Sequence, residues 1–215
     1  MNGENSNIIV EGWTPRFAAA VARLRLTEGG FVNDPVDRGG ATNHGWSLRS
    51  LVAEGRIDLD ADGIADFDLD MDGDIDVADI RALTWGDARY LYHRCFWQRL
   101  EADSFPAPIG EMLFDQAVNG GLTAARKLLQ RAINSCMVQY RVNLPPLKID
   151  GALGDMTRAA LAAVIHVPAA RMPAIIIAYR LAAAERYRAI VAANPAQKRF
   201  LAGWLNRAAA LGRDV

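Results

Sequence analysis

Two carboxylates and a hydroxyl in one short segment are spaced to do acid–base chemistry. Glu28 ends an amphipathic stretch before two glycines, Asp37 follows nine residues later, and Thr42 five residues after that. A carboxyl group at a helix C-terminus, beside the negative end of the helix dipole and an apolar wall, is expected to have a raised pKa, as a general acid requires. An inverting glycosidase also needs a second carboxylate that acts on a water molecule, and Asp37, with the Thr42 hydroxyl to hold that water, could supply it. Asp37 is also a typical turn former, so the residues alone leave both interpretations open.

A second candidate site is a strongly acidic segment further along the chain. Ten aspartates and no Lys or Arg lie between Asp58 and Asp79, in two blocks that repeat every ten residues. The second block has the register of a calcium loop, with carboxylates at positions 1, 3, 5, 9 and 12 and Gly73 at position 6. The sequence therefore predicts one or two structural Ca²⁺ ions and no catalytic cofactor. The predicted ligands are Asp58, Asp60, Asp62, Asp66, Asp68, Asp70, Asp72, Asp74, Asp76 and Asp79.

This segment departs from the usual loop in two places. Position 12 of the second loop is Asp79 rather than the longer Glu, and position 12 of the first loop is Leu69, so a metal there would borrow Asp68. The alternative is a solvated acidic loop, in which ten carboxylates would repel one another without a counter-ion.

Composition and charge restrict the partners. The chain has 215 residues and a net charge of −1, but without the ten aspartates 24 basic residues face 15 acidic ones. Such a basic body suits an anionic polymer. Nucleic acid is not favoured, because no predicted helix carries clustered Lys and Arg. No apolar run reaches the ~20 residues of a membrane helix. The N-terminus lacks a signal-like pattern, so we expect cytoplasmic synthesis without membrane insertion.

Helical periodicity dominates the rest of the chain, whereas strand-like alternation is scarce. A helix is predicted to begin at Thr14-Pro15 and to end at Gly29-Gly30, and residues 31–47 are predicted to form an ordered loop or short hairpin. Further helices are predicted over 84–100, 108–118, 123–140, 157–165, 169–193 and 197–211. The fold class is therefore mainly α.

The first candidate segment resembles a known family signature. Glu28-Gly-Gly-Phe31, Asn33-Asp-Pro35 and Asp37-Arg-Gly-Gly-Ala-Thr42 are similar to the pattern of family-108 glycoside hydrolases, which are bacterial and phage N-acetylmuramidases. The similarity continues through residues 114–120 and 203–207. It implies a lysozyme-like fold in which Glu28 is the catalytic acid and Asp37 and Thr42 position water. We also expect Asn43, Asp115 and Asn119 to contact the substrate.

The second half resembles peptidoglycan-binding modules. The similarity lies in a Leu-Gln helix around Gln130, the turn Asp150-Gly151 through Gly154, and a helix with Thr157 at its start. The expected organisation is a lysozyme-like catalytic region at 1–103 with a dockerin-like or EF-hand-like calcium insert at 55–82. A helical peptidoglycan-binding region at 104–215 would pack on it.

Together these features predict a lysozyme-type peptidoglycan hydrolase that cleaves the β-1,4 bond between N-acetylmuramic acid and N-acetylglucosamine. The expected setting is a monomeric phage or prophage endolysin, made in the cytoplasm and acting on the wall after holin-type release. A secreted toxin muramidase is a second setting. The competing interpretation is a non-catalytic, calcium-ordered wall-binding module, which would release no reducing ends from peptidoglycan.

Overall fold

Residues 12–25, 30–33 and 40–213 are described by the computed structural model. The chain divides into two units, 1–99 and 100–215. Glu28 and Asp37 lie outside the described residues.

The first unit consists of short helices around a small antiparallel hairpin. Its elements are α1 (Pro15–Arg25), β1 (Thr42–Asn43), β2 (Trp46–Ser47), α2 (Leu48–Glu54), α3 (Val77–Ala82) and α4 (Trp85–Tyr92), and α4 continues into a π-helical turn over His93–Gln98.

Side-chain caps mark where the helices of this unit begin. The Thr14 hydroxyl accepts a hydrogen bond from the Phe17 amide at 3.2 Å, which fixes the predicted start of α1. At α4, the Thr84 hydroxyl accepts from the Asp87 amide and the Asp87 carboxylate accepts from the Thr84 amide, which forms a capping box. The predicted hairpin is present, with β1 paired antiparallel to β2.

The core of the first unit is aromatic. Phe17 and Trp97 are fully buried, and their rings meet edge to face at 5.4 Å. The Trp46 ring lies 5.4 Å from that of Tyr92, so the hairpin packs on α4. Such edge and tilted contacts are the preferred geometries of aromatic pairs. The core therefore fixes the hairpin relative to α1 and α4.

The second unit is a helical bundle. Its elements are a 3₁₀ turn (Ala102–Ser104), α5 (Ile109–Gly120), α6 (Leu122–Gln139), α7 (Asp155–His166), α8 (Arg171–Ala193), a 3₁₀ helix (Pro195–Phe200) and α9 (Leu201–Ala210).

Buried polar groups link the central helices of this bundle. The Tyr179 hydroxyl on α8 donates to the Ala125 carbonyl on α6 at 3.2 Å, and the Tyr187 hydroxyl donates to Gln116 Oε1 on α5 at 3.2 Å. Burial raises the pKa of the Tyr179 hydroxyl well above its usual value, so Tyr179 remains neutral and continues to donate.

The start of α7 differs from the prediction. The helix begins at Asp155 after Gly154, so Thr157 lies in its first turn instead of capping it. The Thr157 hydroxyl donates to the Ala152 carbonyl at 3.1 Å. A threonine is common both at the N-cap and in the first turn of a helix, because from either position its hydroxyl can form a hydrogen bond with a nearby backbone group.

The two cysteines, Cys95 and Cys136, are buried free thiols. In the part of the chain that the structure describes, no helix has both the length and the apolar character needed to cross a bilayer.

Candidate functional site

Thr42 lies on the hairpin beside the segment that follows Glu28 in sequence. The Val32 amide donates to the Thr42 carbonyl at 2.8 Å, and the Thr42 amide donates to the Val32 carbonyl at 2.7 Å. The turn after β1 consists of His44 and Gly45 with φ angles of 49° and 79°, as two-residue hairpin turns require. This antiparallel bridge between Val32 and Thr42 pairs the residues that precede segment 34–39 in the sequence with those that follow it.

Of the three predicted catalytic residues, only Thr42 is described. It is half-buried, and within the described ranges its hydroxyl has no hydrogen-bond partner. The roles of Glu28 and Asp37 remain predictions. The described residues nearest to Glu28 in sequence are Arg25, at the end of α1, and Gly30.

Asn43, predicted to contact substrate, is buried within the first unit. Its side-chain amide donates to the carbonyls of Ile80 at 3.0 Å and Leu83 at 3.1 Å. Both carbonyls belong to the C-terminal end of α3, where backbone acceptors lack intrahelical partners. Asn43 therefore ties the hairpin that carries Thr42 to α3, and its contact with substrate remains a prediction.

An aromatic cluster with an adjacent cation lies where α1 meets the π-helical turn. The Trp13 ring is 4.7 Å from the ring of His93, which also lies 4.8 Å from Phe17. The guanidinium of Arg89 lies 5.6 Å from the Trp13 ring, and its Nε is buried with no partner among the residues described. No local pattern in the sequence singles out Arg89, because its position beside the aromatic rings is set by tertiary packing.

The two aspartate loops have the same backbone plan ten residues apart. In the first, the Asp58 carboxylate accepts from the amides of Asp62 at 3.2 Å and Gly63 at 3.0 Å. In the second, the Asp68 carboxylate accepts from Asp72 at 3.1 Å and Gly73 at 2.8 Å. Both glycines have positive φ, 90° and 102°, which lets the loop turn sharply at position 6.

A different carboxylate closes each loop. In the second loop, the buried Asp79 accepts from the Leu69 amide at 2.5 Å and the Asp76 amide at 2.6 Å. In the first loop, the Leu59 amide donates to the Asp66 carboxylate at 3.1 Å. The carboxylate at position 9 of the first loop therefore accepts the hydrogen bond that the carboxylate at position 12 accepts in the second loop. Sequence alone did not assign this exchange, because Leu69 occupies the position where the closing ligand was expected.

The structure brings six of the ten aspartates into two groups. Carboxylate oxygens of Asp58, Asp60 and Asp62 lie within 4.8 Å of one another, as do those of Asp68, Asp70 and Asp79.

Like-charge crowding affects the protonation of these loops. Repulsion from the Asp72 carboxylate is the main cause of the raised pKa of Asp74. Desolvation, together with neighbouring carboxylates, raises the pKa values of Asp66 and Asp70. A cation among these groups would remove the repulsion.

In the second unit, Asp115 and Asn119 share one face of α5. Asp115 forms an ion pair with Arg207 on α9, whose Nε lies 3.1 Å from each carboxylate oxygen. Asn119 is exposed, and its side-chain amide donates to the Asp115 carbonyl at 2.9 Å. Asp115 therefore connects α5 to α9. Among the described residues, the side-chain oxygen of Asn119 accepts no hydrogen bond. Substrate contact by either residue remains a prediction.

Trp204 lies between two other aromatic rings. Its ring stacks on Tyr187 at 5.3 Å and on Phe200 at 5.8 Å, with interplanar angles of 25° and 29°. The guanidinium of Arg199 covers the Phe200 ring at 4.6 Å. Because the Trp204 ring stacks on Tyr187 and Phe200, and Arg199 covers Phe200, we interpret this cluster as packing between α8 and α9 rather than as a surface for stacking a sugar.

Comparisons with known proteins identify both halves of the chain. Residues 21–121 match the model of a family described as Glycosyl hydrolase 108, and residues 124–209 match one described as Predicted Peptidoglycan domain. The structure of SagA from Brucella abortus is similar, with 26% sequence identity, a TM-score of 0.60, and coverage of 92% of this chain and 96% of that chain. None of the curated proteins compared matches the sequence.

These matches confirm the mainly α, lysozyme-like fold predicted from the sequence. The chain carries a glycosyl hydrolase 108 domain followed by a peptidoglycan domain, and the first match contains Glu28, Asp37 and Thr42. It is therefore a glycoside hydrolase, and the pair of domains supports a peptidoglycan hydrolase.

Proposed function

We propose that this glycosyl hydrolase 108 domain cleaves the β-1,4 bond between N-acetylmuramic acid and N-acetylglucosamine, while the peptidoglycan domain holds the wall. The observation that carries the proposal is the order of the two matches. A hydrolase segment that contains the predicted acid and water-positioning residues is followed within three residues by a wall-recognition segment.

The mechanism assigns one role to each predicted residue. Glu28 gives its proton to the glycosidic oxygen as the bond to the sugar breaks. Asp37 and Thr42 position the attacking water, and Asp37 receives its proton. The half-buried Thr42 hydroxyl supports this assignment, because it is held on a hydrogen-bonded hairpin and has no partner within the described ranges.

Charge supports attraction to an anionic wall. Residues 100–215 contain 14 Lys and Arg against 8 Asp and Glu, so the second unit is basic. Peptidoglycan carries free carboxylates, and a basic surface concentrates an enzyme on such a polymer in a salt-dependent way.

The decisive experiment measures reducing ends released from purified peptidoglycan. Removing a general acid costs about 10²–10⁴-fold in rate, so Glu28→Gln should bind walls normally and lose hydrolysis by that factor. Glu185→Gln is the matched control, because Glu185 is exposed on α8. Full activity of Glu28→Gln refutes the catalytic assignment. Wall binding by the wild type without reducing ends would favour the non-catalytic module.

Product masses test the bond itself. A muramidase leaves N-acetylmuramic acid at the new reducing end, whereas a glucosaminidase leaves N-acetylglucosamine. Reduction of the digest followed by mass analysis distinguishes the two, and reduced N-acetylglucosamine ends would overturn the proposed bond while leaving the glycoside hydrolase in place.

We also propose that the aspartate loops bind Ca²⁺ as a structural ion. The donor set is all oxygen, the two groups of three carboxylates are already close, and each loop turns at a glycine, which suits a hard cation with about six to eight ligands. In the second loop, Asp68, Asp70, Asp72 and Asp79 would supply side-chain oxygens, and residue 74 its backbone carbonyl.

A pair of variants tests the calcium proposal by titration calorimetry. Asp70→Ala removes a carboxylate of the second group and should weaken Ca²⁺ binding at least about tenfold. Asp74→Ala removes the same charge at position 7, where the register uses the backbone carbonyl, so its Ca²⁺ affinity should remain within a few-fold of the wild type. Ca²⁺ should raise the Tm of the wild type. No binding heat and no Tm change would refute the proposal.

The cellular setting proposed is that of an endolysin released by a holin. Expression in a bacterial host should then cause lysis only when a holin is produced as well. Lysis without a holin would instead favour the secreted-muramidase setting.

A further inference from the structure

A cavity of about 400 Å³ opens on the second unit, among the residues that resemble a peptidoglycan-binding module. It lies between α6, the loop over residues 147–154 and the first turn of α7. Leu147, Lys148, Asp150, Gly154, Asp155 and Met156 are among its lining residues. Its volume is in the range of pockets that hold a small ligand or a short piece of a polymer.

The wall of this cavity is held by a buried amide. Gln130 on α6 is 1% exposed, and its Nε2 donates to Asp150 Oδ1 at 3.0 Å and to the Ala152 carbonyl at 2.9 Å. Its Oε1 accepts from the Gly151 amide at 2.8 Å. Every polar atom of this amide is therefore used to fix the loop, which makes the cavity a preformed shape.

A second amide fixes the far end of the same loop. Asn134 Nδ2 donates to the Leu147 carbonyl at 2.8 Å, and the Leu147 amide donates to Asn134 Oδ1 at 2.8 Å. With both ends tied to α6, the loop presents its side chains in one arrangement, so a ligand would not have to order it.

The cavity offers charges of both signs next to apolar side chains. Lys148 and Asp155 are exposed, and among the described residues neither side chain has a hydrogen bond or an ion pair. Asp150 keeps one carboxylate oxygen free of Gln130, and the Ala152 amide lowers its pKa, so it is ionised at neutral pH. Met156 is 69% exposed although apolar, and Leu147 forms part of the floor.

This lining matches one part of peptidoglycan better than the other. The glycan strand presents hydroxyls and acetamido groups, for which proteins use flat aromatic rings, and no aromatic side chain lines the cavity in the described part of the chain. The peptide stem instead carries free carboxylates, a free amine where its diamino acid is not cross-linked, and the methyl groups of its alanines. Lys148 suits the carboxylate, Asp150 and Asp155 the amine, and Leu147 and Met156 the methyl groups.

We propose that this cavity binds the peptide stem of peptidoglycan and so holds the second domain on the wall. The inference rests on the proposed function, because it takes peptidoglycan as the polymer recognised. It adds which chemical part of the polymer is bound and by which residues.

Titration of the full chain with a synthetic stem tripeptide that ends in a diamino acid tests the proposal. Lys148→Ala should weaken the tripeptide at least about tenfold, since it removes a charge-assisted hydrogen bond. Lys198→Ala, an equal charge change at an exposed lysine that does not line the cavity, should leave the affinity unchanged. Equal affinity of the wild type and Lys148→Ala, or no tripeptide binding at millimolar concentration, overturns the proposal.

A steric variant provides an independent check. A Cβ added to Gly154 meets no heavy atom within 4 Å, and its φ of −80° is open to any residue, so Gly154→Leu should fold and obstruct the cavity. It should abolish tripeptide binding, and retention of binding would overturn the proposal. So would displacement of the tripeptide by a chitin oligosaccharide.

Failure of this inference and failure of the proposed function give different results. If the wild type releases reducing ends from peptidoglycan but does not bind the tripeptide, only the cavity assignment fails. If it binds the tripeptide in a Lys148-dependent way but releases no reducing ends, the hydrolase proposal fails and the cavity assignment stands.

Discussion

Replacing Asn43 by alanine separates a structural role of this residue from a role in binding substrate. The amide of Asn43 donates to two carbonyl oxygens at the end of α3, those of Ile80 and Leu83, and the side chain is 6% exposed. Alanine would remove both donors and leave both carbonyls without them in a site that water does not reach freely. The hairpin that carries Thr42 would lose its link to α3.

The expected cost follows from these two bonds. An acceptor left unsatisfied in a buried site costs about 1–3 kcal/mol, so two give a loss of about 3 kcal/mol in the free energy of unfolding. For a unit of about 100 residues, each kcal/mol lowers Tm by about 4–8 °C, so Asn43→Ala should melt at least about 10 °C below the wild type. Asn43→Asp should be less stable still, because a carboxylate would face two carbonyl oxygens.

Thermal melting followed by circular dichroism, beside hydrolysis measured well below Tm, is the assay. Asn119→Ala is the matched control, because Asn119 is exposed and its one hydrogen bond is to the Asp115 carbonyl of its own helix. Its Tm should change by no more than about 2–3 °C, corresponding to about 0.5 kcal/mol. A wild-type Tm for Asn43→Ala together with lost hydrolysis would refute the structural reasoning and favour the substrate contact predicted from the sequence.

Three further predictions concern charge and burial. In chelator, Asp74→Asn should have a higher Tm than the wild type at pH 7. The pKa of Asp74 is raised, mainly by repulsion from the Asp72 carboxylate, so ionisation of Asp74 destabilises the folded wild type as the pH rises above about 3.8. The difference in Tm should therefore vanish toward pH 3, where Asp74 is protonated. A double-mutant cycle on Asp115 and Arg207 in urea should give a coupling of about 1 kcal/mol, because the pair is bidentate but partly exposed. Zero coupling would show that this ion pair does not stabilise the fold. Burial and the neighbouring Glu54 carboxylate raise the pKa of Cys95 from 9.0 to about 12, so its alkylation at pH 8, mapped by mass spectrometry, should be about 10³-fold slower in the native protein than in denaturant.

Much of the secondary structure was predictable because its signals are local. The hydroxyls of Thr14 and Thr84 cap helices whose first turns lie within three residues of them, so the same residues that mark the start in the sequence make the bond in the structure. The start of α7 was predicted two residues late, because Thr157 satisfies the Ala152 carbonyl from inside the helix. The conversion of α4 into a π-helical turn over His93–Gln98 has no such local signal.

The register of the two aspartate loops could be predicted from the sequence, because a turn at a glycine and a run of alternating carboxylates are specified within about ten residues. The same kind of local spacing singles out Glu28, Asp37 and Thr42, whose catalytic roles remain predictions. Contacts between residues far apart in the chain could be found only in the three-dimensional structure. Asn43 meets α3 about 40 residues later, and Asp115 meets Arg207 across 92 residues. Likewise, Gln130 and the loop over 147–154 enclose a cavity that neither forms alone. Such partners are chosen by packing of whole helices, which no spacing along the chain encodes.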